Sequence, residues 1–151
     1  MQKLLKVTRE SLYKGIEAVL VGNRIGDISF AIQHYCERIH GYGIVRELVG
    51  HGVGKNLHED PEVPNFGTKG KGPMLKEGIV IAIEPMVNMG SKSVKQMNDG
   101  WTILTRDGKP SAHFEHSVAV RKNGPDILSD HSFIDAAVKN NAEILNISIN
   151  N

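Results

Sequence analysis

The run from Ile79 to Met86 is the feature that most constrains how this chain folds. A nearly continuous apolar run of this length indicates a β-strand that is covered on both faces. Glu84 interrupts the run, and a carboxylate in such a place is costly unless it is paired or bound to a cation. Pro85 removes a ladder donor, which suits an irregular strand end that faces a cavity.

Two helices are predicted at the start of the chain. Residues 4 to 21 carry apolar side chains at helical spacing, and Gly22 offers a C-terminal stop. A second helix follows Asp27, which is placed to cap it, and Gly41 and Gly43 end it. The apolar stripe of this second helix has the spacing of a buried face and consists of Ile28, Ala31, Ile32, Tyr35, Cys36 and Ile39.

The middle of the chain favours antiparallel strands. A short strand from Ile44 to Val49 leads into an extended loop over residues 55 to 78, which is rich in proline and glycine. Asn98-Asp99-Gly100 and Asp107-Gly108 are turn signals that predict a meander after the Ile79–Met86 strand.

The last strand and a closing helix complete the prediction. Alternation along Ala112 to Val120 places His113, Glu115, Ser117 and Ala119 on one face. Residues 131 to 145 predict a helix with Ser132 and Asp135 as a cap pair. Two helices, an antiparallel sheet and a C-terminal helix indicate an α+β fold. Because no repeat or linker is seen, residues 1–151 are predicted to form a single domain.

Composition narrows the classes of function. The 18 basic and 17 acidic side chains nearly balance and form no basic run, so binding to nucleic acid or to a membrane surface has little support. No segment approaches the roughly 20 apolar residues of a membrane span. Cys36 is the only cysteine, which favours a reducing cytoplasm as the location. A reactive thiol is the alternative interpretation of Cys36.

Three side chains are candidate metal ligands. His51 lies between glycines, which let backbone approach a ligand closely and leave room around the imidazole. Glu84 and Glu115 are carboxylates in apolar settings. An imidazole with carboxylates and no thiolate suits Mn, Fe, Co or Zn without choosing between them. The alternatives are a histidine hydrogen-bonded in a turn, and buried pairs of each glutamate with Arg or Lys.

These segments resemble the C-terminal half of a type I methionine aminopeptidase. The matching segments occur in the family's order and are Gly50-His51-Gly52-Val53-Gly54, His58-Glu59-Asp60-Pro61, Ile83-Glu84-Pro85-Met86, Asp99-Gly100-Trp101-Thr102 and Phe114-Glu115-His116. The resemblance implies half of a pita-bread fold, in which two related halves face each other with the metals between them. It also implies a metallo-aminopeptidase that removes N-terminal methionine from nascent proteins.

The resemblance implies roles for individual residues. His51, Glu84 and Glu115 match metal ligands, with Glu115 bridging two metals and Glu84 also handling a proton. His58 matches a histidine that hydrogen-bonds the substrate near the scissile amide. Trp101 matches a residue near the methionine side-chain pocket, and the alternative for it is a plain core tryptophan.

Two residues depart from the family's pattern. Leu57 stands where the family commonly has a phenylalanine in the specificity pocket. His113 stands where the family commonly has a glutamine, on the same strand face as Glu115. We expect His113 to support the ligands rather than to bind metal.

The family's other half supplies two further metal-binding aspartates, and the segment matching residues 4 to 21 follows them there. This chain has no counterpart of those aspartates. We therefore expect at most one of the family's two divalent ions to bind here, weakly, and the chain alone to be inactive or nearly so.

Without the family's other half, the sheet face that carries Val80 and Ala82 would be exposed to water. Because an exposed apolar face favours association, we predict a homodimer or larger self-assembly. The alternative interpretations of the chain are a non-catalytic fragment or self-associating binding protein, and a prolidase-like metallopeptidase.

Overall fold

The first two helices pack closely against each other. In the computed structural model, which describes residues 1–129 and 131–141, α1 spans Gln2–Glu17 and α2 spans Ile25–Gln33. A Cβ atom added at Gly15 of α1 would lie 2.8 Å from the Cδ1 atom of Ile32 in α2, so a larger residue would displace that side chain. The predicted first helix is confirmed, although it ends at Glu17 instead of residue 21.

The start and the end of the second helix differ from the prediction. Asp27 occupies the third helical position, where its carboxylate accepts a hydrogen bond of 2.8 Å from the backbone N–H of Arg24. The helix continues as a π-helix over His34–Ile39. Because a π-helix bonds each residue to the fifth one along, the 3.6-residue period no longer holds. Ile39, the last member of the predicted stripe, is accordingly 57 % exposed.

The remaining regular structure before the last described helix consists of short antiparallel strands. They form a five-stranded sheet in the order β10-β9-β4-β2-β3, a three-stranded sheet in the order β1-β5-β8, and the β6–β7 hairpin. The α+β prediction is confirmed. The strands within the described residues are β1 Gly43–Ile44, β2 Gly50–Gly52, β3 Glu59–Val63, β4 Val80–Ile83, β5 Met86–Asn88, β6 Val94–Gln96, β7 Ile103–Thr105, β8 Ser111–His113, β9 His116–Arg121 and β10 Gly124–Ile127.

Several predicted strand boundaries are wrong. The strand predicted from Ile44 to Val49 stops at its first residue, and the loop predicted over residues 55 to 78 contains β3. β3 accommodates Pro61 because it lies at a sheet edge, where a missing backbone donor is tolerated. The two long predicted strands are each split into two, as β4 with β5 and as β8 with β9.

One apolar core joins the helices to the sheets. Leu12 of α1, Ile28 of α2 and Ile81 of β4 are each at most 1 % exposed. Both Val80 and Ala82 were predicted to be exposed. Val80 is partly buried, and Ala82 is fully buried, so the prediction is wrong for Ala82. β4 lies at the centre of the five-stranded sheet and is paired on both sides.

The last described helix, α3, spans Ser132–Asn140 and is tied to α1 by an ion pair. The Asp135 carboxylate accepts hydrogen bonds of 2.8 and 2.7 Å from the guanidinium of Arg9. His131 is the N-cap residue, its side chain makes no capping hydrogen bond, and Ser132 is already the first helical residue, so the predicted cap pair of Ser132 and Asp135 is wrong. Residues 142 to 145 of the predicted helix lie outside the described residues. None of the described helices is long and apolar enough to cross a membrane.

Candidate metal centre

Two breaks between strands lie opposite each other and bring two carboxylates together. The last residue of β4 pairs with the first residue of β9, and the first residue of β5 pairs with the last residue of β8. Two residues separate the strands on each side, so the antiparallel register places Glu84 opposite Glu115 and Pro85 opposite Phe114. The backbone N–H of Phe114 donates a hydrogen bond of 3.4 Å to the carbonyl of Pro85, in agreement with this register.

This arrangement sets two like charges against each other. Opposed like charges on adjacent strands are destabilising, and the side chain of Glu84 is only 15 % exposed. Within the described part of the chain, no Lys or Arg forms an ion pair with Glu84 or Glu115. The alternative of a buried pair of either glutamate with Arg or Lys is therefore not observed there.

Two imidazoles face the two carboxylate oxygens of Glu84. The Nε2 atom of His51 lies 3.7 Å from Oε1, and the Nε2 atom of His113 lies 3.4 Å from Oε2. His51 comes from β2, whereas His113 ends β8 two residues before Glu115. Glu84 thus lies between two nitrogen donors from different strands.

The backbone around His51 sets both its position and its tautomer. Its Nδ1 atom lies 2.9 Å from the carbonyl oxygen of Gly52, which can only accept, so Nδ1 carries the proton and Nε2 is free to bind a cation. A Cβ atom at Gly50 would lie 2.2 Å from the carbonyl oxygen of Ala82, and one at Gly52 would lie 2.2 Å from that of Asp60. These glycines allow β2 to run between its two neighbouring strands.

His58 lies beside His51. The centroids of the two rings are 4.2 Å apart with planes tilted by 56°, and the side chain of His58 is exposed. The structure therefore brings the predicted substrate-binding histidine next to a predicted metal ligand, with its ring open to solvent.

The two predicted pocket residues lie on the surface. Trp101 is 88 % exposed and Leu57 is 69 % exposed. The alternative of a core tryptophan is wrong, because Trp101 lies at the tip of the β6–β7 hairpin. The carboxylate of Asp99 holds this turn by accepting hydrogen bonds from the backbone of Trp101 and from the hydroxyl of Thr102. Within the described residues, neither side chain closes over the carboxylates.

Asn65, which was not predicted from the sequence to lie near the site, fixes the backbone of Glu84. The side-chain amide of Asn65 is fully buried and donates a hydrogen bond of 3.0 Å to the backbone carbonyl of Glu84. Asn65 follows a proline in a segment that was predicted to be loop, and such a setting predicts an exposed residue.

A second missed contact fixes the strand beside Glu115. His116 is 2 % exposed, and its Nδ1 atom lies 2.8 Å from the hydroxyl of Ser129, while its Nε2 atom lies 3.4 Å from the hydroxyl of Tyr13. Burial, followed by the proximity of His131, lowers the pKa of His116 below its usual value. The imidazole of His116 is therefore neutral at neutral pH and holds the start of β9 against α1.

The donor set at this centre fits a divalent cation. One ligand atom from each of Glu84, His113 and Glu115 lies within 4.8 Å of the others. A cation would relieve the repulsion between the opposed carboxylates, and carboxylates with imidazoles suit Mn, Fe, Co or Zn. Of the ligands predicted from the sequence, Glu84 and Glu115 lie opposite each other. His51 faces Oε1 of Glu84, whereas His113 faces Oε2.

Comparison with known proteins places this geometry in a family. The sequence pattern of metallopeptidase family M24 matches residues 1–122. A methionine aminopeptidase of Clostridium perfringens is 58 % identical over 128 residues, which are 85 % of this chain and 51 % of that protein. The chain thus spans about half the length of the curated relatives it matches.

Solved structures show the same relationship. The crystal structure of a methionine aminopeptidase from Thermotoga maritima superposes with a TM-score of 0.81 at 48 % identity, over 84 % of this chain and 51 % of that one. A prolidase from Pyrococcus furiosus, 22 % identical with a TM-score of 0.62 over 85 % of this chain and 32 % of that one, shares the fold alone. The fold is half of a pita-bread fold, as the resemblance implied. This chain belongs to metallopeptidase family M24.

Proposed function

We propose that this chain is the C-terminal half of the catalytic unit of a methionine aminopeptidase, which removes N-terminal methionine from nascent proteins. The observation that carries the proposal is the pair of opposed carboxylates, Glu84 and Glu115, which have no Lys or Arg partner among the described residues, with the imidazole of His51 beside Glu84. Relatives named methionine aminopeptidase, at 58 and 55 % identity, support the choice of substrate. The lone thiol of Cys36 supports a cytoplasmic location.

Each site residue has a chemical role in this proposal. His51, Glu84 and Glu115 would hold a divalent cation of Co, Mn, Fe or Zn, whose chemistry there is Lewis-acid polarisation of the substrate carbonyl. Glu84 accepts a proton from the attacking water as general base. The exposed ring of His58 donates a hydrogen bond to the substrate near the scissile amide.

The apolar side chain of the substrate methionine requires an apolar surface. Trp101 and Leu57 are exposed and offer such surface, and both match positions near the specificity pocket. We propose that they contribute to this pocket when a second half covers them. The relatives are about twice the length of the matched region, so we propose that the complete site holds two cations and takes further ligands from such a half.

An aminopeptidase assay tests the proposal. We expect the 151-residue chain alone, supplied with Co²⁺ or Mn²⁺, to show no cleavage of a Met-Ala peptide above background. Adding the N-terminal half of the Clostridium perfringens relative should restore cleavage. Glu115→Gln should abolish the restored rate, whereas Glu77→Gln, which changes an exposed glutamate outside the site, should not.

The same assay separates the alternative functions. A robust rate from the chain alone that is lost in Glu115→Gln would show that no second half is needed. Absence of cleavage in both arrangements, with the complex formed, would favour a non-catalytic binding protein. Cleavage of X-Pro peptides in preference to Met-Ala peptides would favour a prolidase-like enzyme.

A further inference from the structure

We propose that His113 is itself a metal ligand, so that Glu84, His113 and Glu115 hold one divalent cation with residues of this chain alone. The proposal rests on the proposed function, because it concerns the same centre. It differs from the sequence prediction, in which His113 only supports the ligands. It also differs from a site that requires ligands from two halves before it binds any cation.

The strand geometry brings these three donors together. His113 and Glu115 are two residues apart, the spacing that places side chains on one face of a strand. Glu84 lies opposite Glu115 across the break in the strand pairs. One donor at the end of β8 and one from each of the two facing strand breaks therefore converge.

The distances between donor atoms suit a shared cation. The Nε2 atom of His113 lies 3.4 Å from Oε2 of Glu84, and one ligand atom from each of the three residues lies within 4.8 Å of the others. Ligand atoms bound to one cation at about 2.1 Å lie about 3 to 4 Å from each other. The 4.8 Å limit is longer than these spacings, so rotation of the side chains would bring the donors together around the cation.

The contact between His113 and Glu84 leaves both groups able to bind a cation. At 3.4 Å the Nε2 atom of His113 and the Oε2 atom of Glu84 lie beyond the usual hydrogen-bond length of about 2.7 to 3.2 Å. Within the described residues, the imidazole of His113 has no other polar partner, and its side chain is 46 % exposed, so a cation reaches it from solvent.

An imidazole in the donor set predicts which cations bind. Mg²⁺ and Ca²⁺ prefer sites made of oxygen donors, whereas nitrogen donors favour Zn²⁺ and Co²⁺. His113 therefore gives this chain a preference for Zn²⁺ or Co²⁺ over Mg²⁺. It also lets the first cation load before any complementing half is present.

Calorimetric titration of the full chain with ZnCl₂, combined with imidazole ¹⁵N NMR, tests this proposal. We expect one Zn²⁺ per chain, no heat of binding with MgCl₂, and a shift of the His113 Nε2 resonance on Zn²⁺ addition. His113→Gln should weaken Zn²⁺ binding at least about 10-fold. The matched control His34→Gln, an exposed histidine on the π-helix, should leave binding unchanged.

The outcomes separate this inference from the proposed function. If His51→Gln and Glu115→Gln weaken binding while His113→Gln does not, and the His113 resonance stays in place, the inference is overturned and the proposed function stands. If none of the variants at His51, Glu84 and Glu115 weakens binding, the metal centre itself is wrong. If His113→Gln and His34→Gln reduce the affinity for Zn²⁺ equally, the binding is non-specific surface binding and the inference is overturned. The NMR shift is measured on the unsubstituted chain and decides the point if His113→Gln does not fold.

Discussion

Glu84 faces Glu115 directly across the point where two antiparallel strand pairs break, and within the described residues neither carboxylate has a Lys or Arg partner. Strand pairing holds the backbones on both sides of the break, so the two charges have limited freedom to separate. The fold therefore maintains an electrostatic cost that a bound cation removes. This relationship underlies the proposed metal centre.

Removing one of the two opposed charges should stabilise the cation-free chain. In EDTA we expect Glu115→Gln to raise the free energy of unfolding by at most about 0.5 kcal/mol, because like charges facing across strands destabilise and Glu115 is partly screened by solvent. Saturating Zn²⁺ should stabilise the parent chain but not the variant. Urea titrations with EDTA and with Zn²⁺ measure both effects, with Glu77→Gln as the control. A variant less stable than its parent in EDTA would count against the opposed-charge account.

Asn65 should matter for stability although it lies outside the matching motifs. Asn65→Ala removes a buried hydrogen bond to the carbonyl of Glu84 and should cost about 1 kcal/mol of unfolding free energy. Asn98→Ala, in the exposed turn of the β6–β7 hairpin, should cost much less. Thermal and urea unfolding of both variants would measure this, and equal effects of the two substitutions would contradict the assigned role of Asn65.

The thiol of Cys36 should be unreactive in the folded chain. Its side chain is fully buried, and burial raises the pKa of the thiol from 9.0 to about 11. At pH 8 we expect no reaction with a disulfide reagent until denaturant is added, and then one thiol per chain. Rapid labelling of the native chain would instead support the reactive-thiol interpretation.

The same shift predicts how the stability contributed by Cys36 depends on pH. The raised pKa means that the unfolded thiol ionises first as pH rises. This contribution is fully present below pH 9.0 and is lost between 9.0 and about 11. Cys36→Ala should flatten this part of the stability profile, as measured by urea titrations at each pH. An unchanged profile would show that the thiol does not titrate differently in the two states.

The exposed edges of the sheets are the remaining basis for self-association. Ala82 is buried, but β3 and β10 end the five-stranded sheet and β8 ends the three-stranded sheet, and each of these strands carries exposed residues. Open edges favour pairing with another chain, and we expect a homodimer at micromolar concentration. Light scattering should then give about 33 kDa, twice the 16.6 kDa of one chain. A measured mass of 16.6 kDa, that of one chain, would contradict this prediction.

Local patterns in the sequence predicted the layers of the fold and the chemistry of the donors. The stripe through Ile28, Ile32 and Cys36 predicted core positions that are all fully buried, because helical periodicity reports one face of a helix directly. Glu84 was identified because a carboxylate in an apolar run requires a partner. Both inferences use only neighbouring residues.

Local sequence patterns alone do not predict features that depend on distant contacts. The opposition of Glu84 and Glu115 follows from the register between strands some thirty residues apart, as counted along the chain. The contact of His113 with Glu84 depends on that same register. The burial of Asn65 and the exposure of Trp101 are set by which elements pack over each residue, and local sequence does not report this.

Anomalous diffraction from crystals grown with one equivalent of Co²⁺ would locate the bound cation. We expect an anomalous peak between the carboxylates of Glu84 and Glu115, within bonding distance of both and with an imidazole nitrogen completing the site. A peak only at another histidine, such as His131 against His116, would contradict it. So would a structure without a peak in which a Lys or Arg neutralises the two glutamates.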